Sequence, residues 1–84
     1  MQHEIIYDDG SCFDVKMGED VYNVTQVCYE GFQDTFHIQK NGVELFDLEE
    51  EEVGKWTTKY YDKKIGRDIV ENILGVIKER PKRC

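Results

Sequence analysis

Tight-turn signals recur at short intervals through the first half of the chain, and they leave room only for short strands between them. Asp9-Gly10, Gly18-Glu19 and Asn41-Gly42 each favour a two-residue turn, because Gly and Asn tolerate a positive φ angle. Between the first two turns, polar and apolar residues alternate from Cys12 to Met17, which is the period of a strand with one buried face. The sequence therefore predicts a run of antiparallel hairpins.

These turns also predict which residues face each other, because the length of a turn determines the register of its hairpin. A third strand is expected from Val21 to about Tyr29. The expected cross-strand pairs are Val15 with Tyr22 and Phe13 with Val24 around Gly18-Glu19, and Lys40 with Val43, Ile38 with Leu45 and His37 with Phe46 around Asn41-Gly42.

A helix is predicted over about residues 48–59. Asp47 lies at a capping position with Glu50 three residues later, which is close to a capping-box pattern. Four consecutive glutamates, 49–52, would lie in the first turn, where the helix dipole favours negative charge. The apolar face of this helix would consist of Leu48, Val53, Trp56 and Tyr60.

A second helix is predicted over about residues 63–79. Asp62 is the expected N-cap, and Pro81 ends the helix at or before Arg80. Isoleucines that repeat every four positions form its wide apolar stripe, namely Ile65, Ile69, Ile73 and Ile77.

Together these patterns predict an α+β fold in a single domain, residues 1–84. The predicted architecture is an antiparallel β-meander of four to five strands, over about residues 3–48, followed by the two C-terminal helices packed on one face. A basic tail at 80–84 completes the chain.

Charge is distributed unevenly along the chain, which carries a formal net charge of −7. Residues 1–52 contain 14 acids and 2 bases, whereas residues 53–84 contain 4 acids and 9 bases. The acidic part is not expected to bind nucleic acid, because phosphate contacts need Lys and Arg. Two interpretations remain open: the charge serves solubility, or it forms a negative surface for a positive partner.

Cysteine usage indicates a reducing compartment. The three cysteines, Cys12, Cys28 and Cys84, are an odd number without a C-x-x-C spacing. No apolar run approaches the ~18 residues that cross a bilayer, and the N-terminus does not resemble an export signal. A soluble cytoplasmic protein without membrane contact is therefore expected.

No catalytic motif stands out in the sequence, and the chain is predicted to be non-enzymatic. His37 with Cys12 or Cys28 is the candidate for nucleophilic chemistry, but an ordinary strand histidine and a packed thiol are the favoured interpretations. Neither a metal site nor a cofactor is expected, since the only further soft ligand is His3. A small enzyme that uses Cys12 or His37 remains the third hypothesis.

The candidate binding surface combines carboxylates with aromatic anchors. Carboxylates at spacings like those of phosphates can occupy a Lys/Arg groove, and Tyr and Trp are frequent anchors of interfaces. The residues predicted to contact a partner are Asp8, Asp9, Asp14, Glu19, Asp20, Asp47, Glu49, Glu50, Glu51, Glu52, Tyr29, Phe32 and Tyr61.

In its size, its acidity, its lack of a catalytic motif and its predicted sheet-plus-helices plan, the chain resembles the small single-domain inhibitors that bacteriophages and mobile elements encode against host nucleases. Anti-CRISPR and anti-restriction proteins are examples. The resemblance implies a stoichiometric inhibitor of a basic protein, a nuclease or other nucleic-acid-binding enzyme, in the cytoplasm of the host cell.

The alternative hypothesis is a small structural or regulatory interaction module whose acidic residues serve solubility. Such a module could pair through an open sheet edge, so the expected oligomeric state is a monomer or a weak homodimer. Salt dependence discriminates between the two hypotheses, because only the acidic inhibitor should lose its partner at high ionic strength.

Overall fold

The computed structural model describes residues 3–28, 34–52 and 54–80, which form one antiparallel sheet and one helix. The strands pair with their neighbours in chain order, so the sheet is a meander from the first strand to the sixth. The elements are β1 (His3–Asp8), β2 (Cys12–Met17), β3 (Asp20–Cys28), β4 (Asp34–Lys40), β5 (Val43–Glu52), β6 (Lys55–Tyr60) and α1 (Arg67–Glu79).

The core lies between α1 and one face of the sheet, called here the inner face. α1 contributes Ile73 and Val76, which are 0% and 2% exposed. On the sheet, the centre of the core is a cross-strand row from β2 to β5 that consists of Phe13, Val24, Ile38 and Phe46. Burial of this row between sheet and helix is the main stabilising contribution that the described residues show.

The prediction of four to five strands followed by two helices is wrong: the described residues form six strands and a single C-terminal helix. The segment predicted as a helix over 48–59 instead forms the end of β5, a connection that contains Gly54, and β6. Gly54 has a φ angle of 85°, which suits a turn and not a helix.

The physical reason is the burial that the sheet offers to this segment. Leu48 is fully buried between Phe36 on β4 and Thr58 on β6. Trp56 and Tyr60 are four residues apart, a spacing that places two side chains on the same face of a strand as well as of a helix. Aromatic and β-branched residues also favour strands, and β6 contains Trp56, Thr57, Thr58 and Tyr60.

The predicted registers are partly confirmed. Val15 pairs with Tyr22 and Phe13 with Val24 around the first turn, as expected. Around the second turn, Lys40 pairs with Val43, but a β-bulge between Ile38 and Gln39 shifts the remaining pairs by one residue. Ile38 therefore faces Phe46 instead of Leu45, and His37 faces Asp47 instead of Phe46.

α1 begins later than predicted and ends as predicted. It starts at Arg67 after the N-cap Gly66, whereas Asp62 accepts a hydrogen bond from the Lys64 N–H at 2.9 Å in the preceding turn. The expected N-cap is thus used in an Asx-type turn before the helix. The helix ends at Glu79 with Arg80 as C-cap.

Candidate protein-binding surfaces

Most of the candidate acids lie at the two ends of the sheet, whereas Asp14 and Asp47 lie within β2 and β5. Asp8 and Asp9 lie at the β1–β2 turn, and residues 49–52 lie at the same end, where β5 leads to β6. At the opposite end, Glu19 lies in the β2–β3 turn and Asp20 is the first residue of β3. The structure therefore brings together only part of the set that the sequence places in one surface.

The acidic hairpin tip, residues 49–52, is the densest group of carboxylates. β5 is buried from Leu45 to Leu48 and becomes exposed at Glu51 and Glu52. Because neighbouring residues in a strand point to opposite faces, these carboxylates project to both sides of the hairpin.

Two contacts tie the acidic hairpin tip to the connection that follows it. Glu50 accepts a hydrogen bond from the Gly54 N–H at 3.1 Å. Glu52 lies 3.5 Å from the Lys55 ammonium group, but the two side chains are 72% and 75% exposed. An ion pair this exposed contributes little to stability, and both side chains remain largely in contact with solvent.

Asp8 is held by the other end of the chain in what we call the Arg80 clasp. The Arg80 guanidinium donates to both carboxylate oxygens of Asp8, and to the Gly10 carbonyl at 3.2 Å. It also lies over the Phe13 ring at 3.8 Å. The clasp neutralises Asp8 and joins the end of α1 to the β1–β2 turn, whereas the neighbouring Asp9 is exposed.

Two further acids of the candidate set have partners within the chain. Asp14 accepts a hydrogen bond from the Asn23 amide at 2.9 Å. Asp20 lies 2.8 Å from the Lys40 ammonium group, and this hydrogen bond is the main reason that the pKa of Lys40 is raised. Glu19, beside Asp20, is exposed at the turn.

Asp47 belongs to the outer face, which is the face of the sheet opposite α1. It is 4% exposed, so it contributes little surface to a partner. His37 Nδ1 donates to one carboxylate oxygen at 2.8 Å, and the Tyr61 hydroxyl donates to the other at 2.7 Å. The hydrogen bond to Asp47 is the largest cause that raises the pKa of Tyr61 to about 12. We call these three residues the Asp47 cluster.

The outer face carries a continuous polar row that the sequence analysis did not find. Asn23 donates to the Cys12 sulfur at 3.1 Å and accepts from the Thr25 hydroxyl at 3.1 Å. The row crosses five strands in the order Cys12, Thr25, His37, Asp47 and Lys59. Polar residues alternate with apolar ones along these strands, and this pattern predicts a polar face. The bulge between β4 and β5 changes which polar residues pair across the strands.

Cys12 and His37, a candidate pair for nucleophilic chemistry, both lie in this row, but Thr25 lies between them. Cys12 and His37 lie two strands apart, at about 4.8 Å per strand, which is too far for a direct hydrogen bond. Within the described residues, no three His, Cys, Asp or Glu side chains are grouped to hold a metal ion. Cys28 ends β3, but its side chain is outside the described part of the chain.

Of the three predicted aromatic anchors, Tyr61 lies within the described residues. It is 45% exposed, and the Lys59 ammonium group lies 5.4 Å from the centre of its ring. Tyr29 and Phe32 lie outside the described residues, as does the basic tail beyond Arg80.

Across residues 3–28, 34–52 and 54–80, no helix is long and apolar enough to span a membrane. Comparison with known proteins found no match to a family model, to a curated protein or to a solved structure.

Proposed function

We propose that the chain is a non-enzymatic protein-binding inhibitor or modulator whose acidic hairpin tip occupies a basic, nucleic-acid-binding surface on a partner protein. One observation carries the proposal. Four consecutive glutamates, 49–52, lie at the end of the β5–β6 hairpin, where the ion pair between Glu52 and Lys55 is highly exposed.

The carboxylates of the acidic hairpin tip present negative charge to both faces of the hairpin. A β-strand rises about 3.3 Å per residue and alternate residues share a face, so carboxylates on one face lie about 7 Å apart. A groove lined with Lys and Arg would therefore meet part of the four charges on either face. Attraction over this distance accelerates association and weakens as salt is added.

The alternative, an interaction module in which acids serve solubility, is favoured by the internal pairing of several carboxylates. Asp8, Asp20 and Asp47 each have partners within the chain, so a smaller part of the charge is available to bind another protein. The two hypotheses differ in whether the acidic hairpin tip, as distinct from net charge, determines binding.

The test compares two variants with the same change in net charge. In the first, all four glutamates of the acidic hairpin tip are replaced by glutamine. The control carries four glutamine substitutions at exposed glutamates elsewhere, namely Glu4→Gln, Glu44→Gln, Glu71→Gln and Glu79→Gln. Wild type and both variants are used to capture proteins from bacterial lysate at low salt, with elution at high salt and identification by mass spectrometry.

We expect a basic nucleic-acid enzyme to be captured by wild type and by the control variant, and to be lost with the tip variant. Purified wild-type chain should then displace a labelled nucleic acid from that enzyme at a stoichiometric ratio. Equal capture by both variants would show that the tip has no special role. Capture that resists high salt would favour the interaction module.

A further inference from the structure

The Arg80 clasp shows how this sheet binds a guanidinium group. Asp8 and Phe13 are directly opposite each other in the β1–β2 pair, so both side chains lie on the inner face. The Arg80 guanidinium bonds both carboxylate oxygens of Asp8 and lies over the Phe13 ring. A carboxylate beside an aromatic ring thus holds the planar cation by hydrogen bonds and by contact with the ring face.

The same combination recurs in the β5–β6 hairpin, where Glu50 is directly opposite Trp56. Trp56 packs against the core, and its ring centre lies 5.8 Å from that of Phe36, so the pair is on the inner face. The β1–β2 and β5–β6 hairpins turn at the same end of the sheet. The Glu50–Trp56 pair therefore repeats, at the other edge of the sheet, the arrangement that holds Arg80.

The two carboxylates are also held alike. Asp8 accepts a hydrogen bond from the Gly10 N–H at 2.8 Å and still binds Arg80. Glu50 accepts a hydrogen bond from the Gly54 N–H at 3.1 Å, which likewise comes from the turn of its own hairpin. A carboxylate has about four lone-pair sites, so this backbone bond does not saturate Glu50.

Exposure and charge at the Glu50–Trp56 pair suit a cation that approaches from solvent. Both side chains are partly exposed. Glu51 and Glu52, which follow Glu50, are exposed and add negative charge. Lys55 precedes Trp56 in β6, so its side chain points to the opposite face of the strand. A cation on the inner face therefore meets a carboxylate and an aromatic ring together.

We propose that Glu50 and Trp56 form a binding site for an arginine side chain of the partner protein. The guanidinium lies against the indole ring and pairs with the Glu50 carboxylate, in the geometry of the Arg80 clasp. Arginine is preferred to lysine, because a planar guanidinium can stack on a ring and bond both carboxylate oxygens at once. This inference rests on the proposed function, to which it adds the kind of side chain that the acidic hairpin tip recognises.

The probe is a capped tripeptide, acetyl-Gly-Arg-Gly-amide, titrated into the full-length chain. Binding is followed by NMR of the backbone amides and of the indole N–H of Trp56, the single tryptophan of the chain. We expect saturable shifts concentrated in the β5–β6 hairpin. The matched peptide acetyl-Gly-Lys-Gly-amide carries the same charge and should bind at least about threefold more weakly.

Variants of the chain separate the specific pair from the charge of the tip. Glu50→Gln should weaken binding of the arginine peptide about fivefold, whereas Glu51→Gln, an equal charge change at the next residue, should alter it by less than about twofold. Trp56→Leu should weaken binding about threefold, and Trp56→Phe less, because phenylalanine keeps an aromatic face. Tyr60→Leu, at an exposed aromatic residue of the same strand, is the control and should leave the affinity unchanged.

Three results would overturn the inference: no saturable shift at Trp56, equal binding of the arginine and lysine peptides, or equal effects of Glu50→Gln and Glu51→Gln. If a partner is nevertheless captured through the acidic hairpin tip, the proposed function stands without this site. Arginine-selective binding at Glu50 and Trp56, together with partner capture that does not depend on the tip, would support the site and contradict the proposed function.

Discussion

The two faces of the sheet are formed by the same strands, yet they are held by different interactions. The inner face is apolar and covered by α1, and its central row of Phe13, Val24, Ile38 and Phe46 is at most 1% exposed. The outer face has polar side chains that bond to each other across strands, as the Asp47 cluster does.

This difference indicates that the two faces serve different purposes: one supplies stability and the other selects the strand register. Apolar burial is non-directional, so the inner face supplies stability without demanding one alignment of each side chain. Hydrogen bonds depend on distance and angle, so those of the outer face stabilise only the register in which donors meet acceptors. We infer that the inner face contributes most of the stability and that the outer face selects the register of β4 with β5.

The largest expected effect is on the inner face. Phe46→Ala removes a fully buried ring that faces Ile38 and should lower the free energy of unfolding by about 3–5 kcal/mol in urea denaturation. Val43→Ala, at an exposed position of the same strand, should change it by no more than about 0.5 kcal/mol. If Phe46→Ala does not fold, Ile38→Val should still cost about 0.5–1.5 kcal/mol. Equal losses at positions 46 and 43 would contradict the assignment of the core.

Substitutions on the outer face should lower the free energy of unfolding less than Phe46→Ala does, and the loss should depend on the chemistry of the replacement. Asp47→Ala leaves His37 and Tyr61 without their common acceptor and should cost about 1–3 kcal/mol. Asp47→Asn keeps one carbonyl oxygen in place, so we expect a smaller loss. The measurement is chemical denaturation together with the amide NMR spectrum of β4 and β5. An alanine variant as stable as the wild type would show that the hydrogen bonds of the Asp47 cluster contribute nothing to stability.

Substitutions in the Arg80 clasp test whether a polar contact also helps to hold α1 against the sheet. Arg80→Ala should cost about 1–2 kcal/mol, because it removes hydrogen bonds to Asp8 and the contact with the Phe13 ring. Arg80→Lys should recover little, since an ammonium group cannot bond both carboxylate oxygens in the same planar geometry. A double-mutant cycle with Asp8→Asn measures the coupling, and strictly additive losses would show that the two residues act independently.

The smallest effect is a pH dependence on the outer face. The neutral Tyr61 phenol is the form that donates to Asp47, and its pKa is raised from 10.0 to about 12 in the folded chain. The stabilisation is therefore complete below about pH 10 and is lost as the pH rises from about 10 to 12. The difference in unfolding free energy between wild type and Tyr61→Phe should shrink over this interval. A difference that stays constant with pH would contradict this role of the hydroxyl.

Two hairpins that share β5 show how far local sequence can predict this fold. At Asn41-Gly42, both residues have positive φ angles, 53° and 78°, and the turn is where the sequence places it. At the acidic hairpin tip, the glutamates and the spacing of Trp56 and Tyr60 suit a helix start as well as a strand. The local signals there do not distinguish the two, and the prediction was wrong.

The candidate site was predictable in composition and only partly in arrangement. The acids at turns and at the acidic hairpin tip are exposed as their positions indicate, as Glu19 and Glu51 illustrate. Asp47 is buried instead, because the bulge after Ile38 turns it toward His37. No local signal marks a bulge of this kind, since it arises where Ile38 and Phe46 face each other on the inner side.

Local sequence is sufficient to predict the features that depend on neighbours along the chain: the turns around Gly18 and Asn41, the alternation within β2, and the apolar stripe and end of α1. Contacts between distant segments determine that residues 48–59 form strands, that the register of β4 with β5 is shifted, and that Asp8 pairs with Arg80. The physical reason is that these outcomes depend on burial and on partners that are distant in sequence. Leu48 is fully buried because β4 and β6 lie on either side of it, and no local helix could provide that contact.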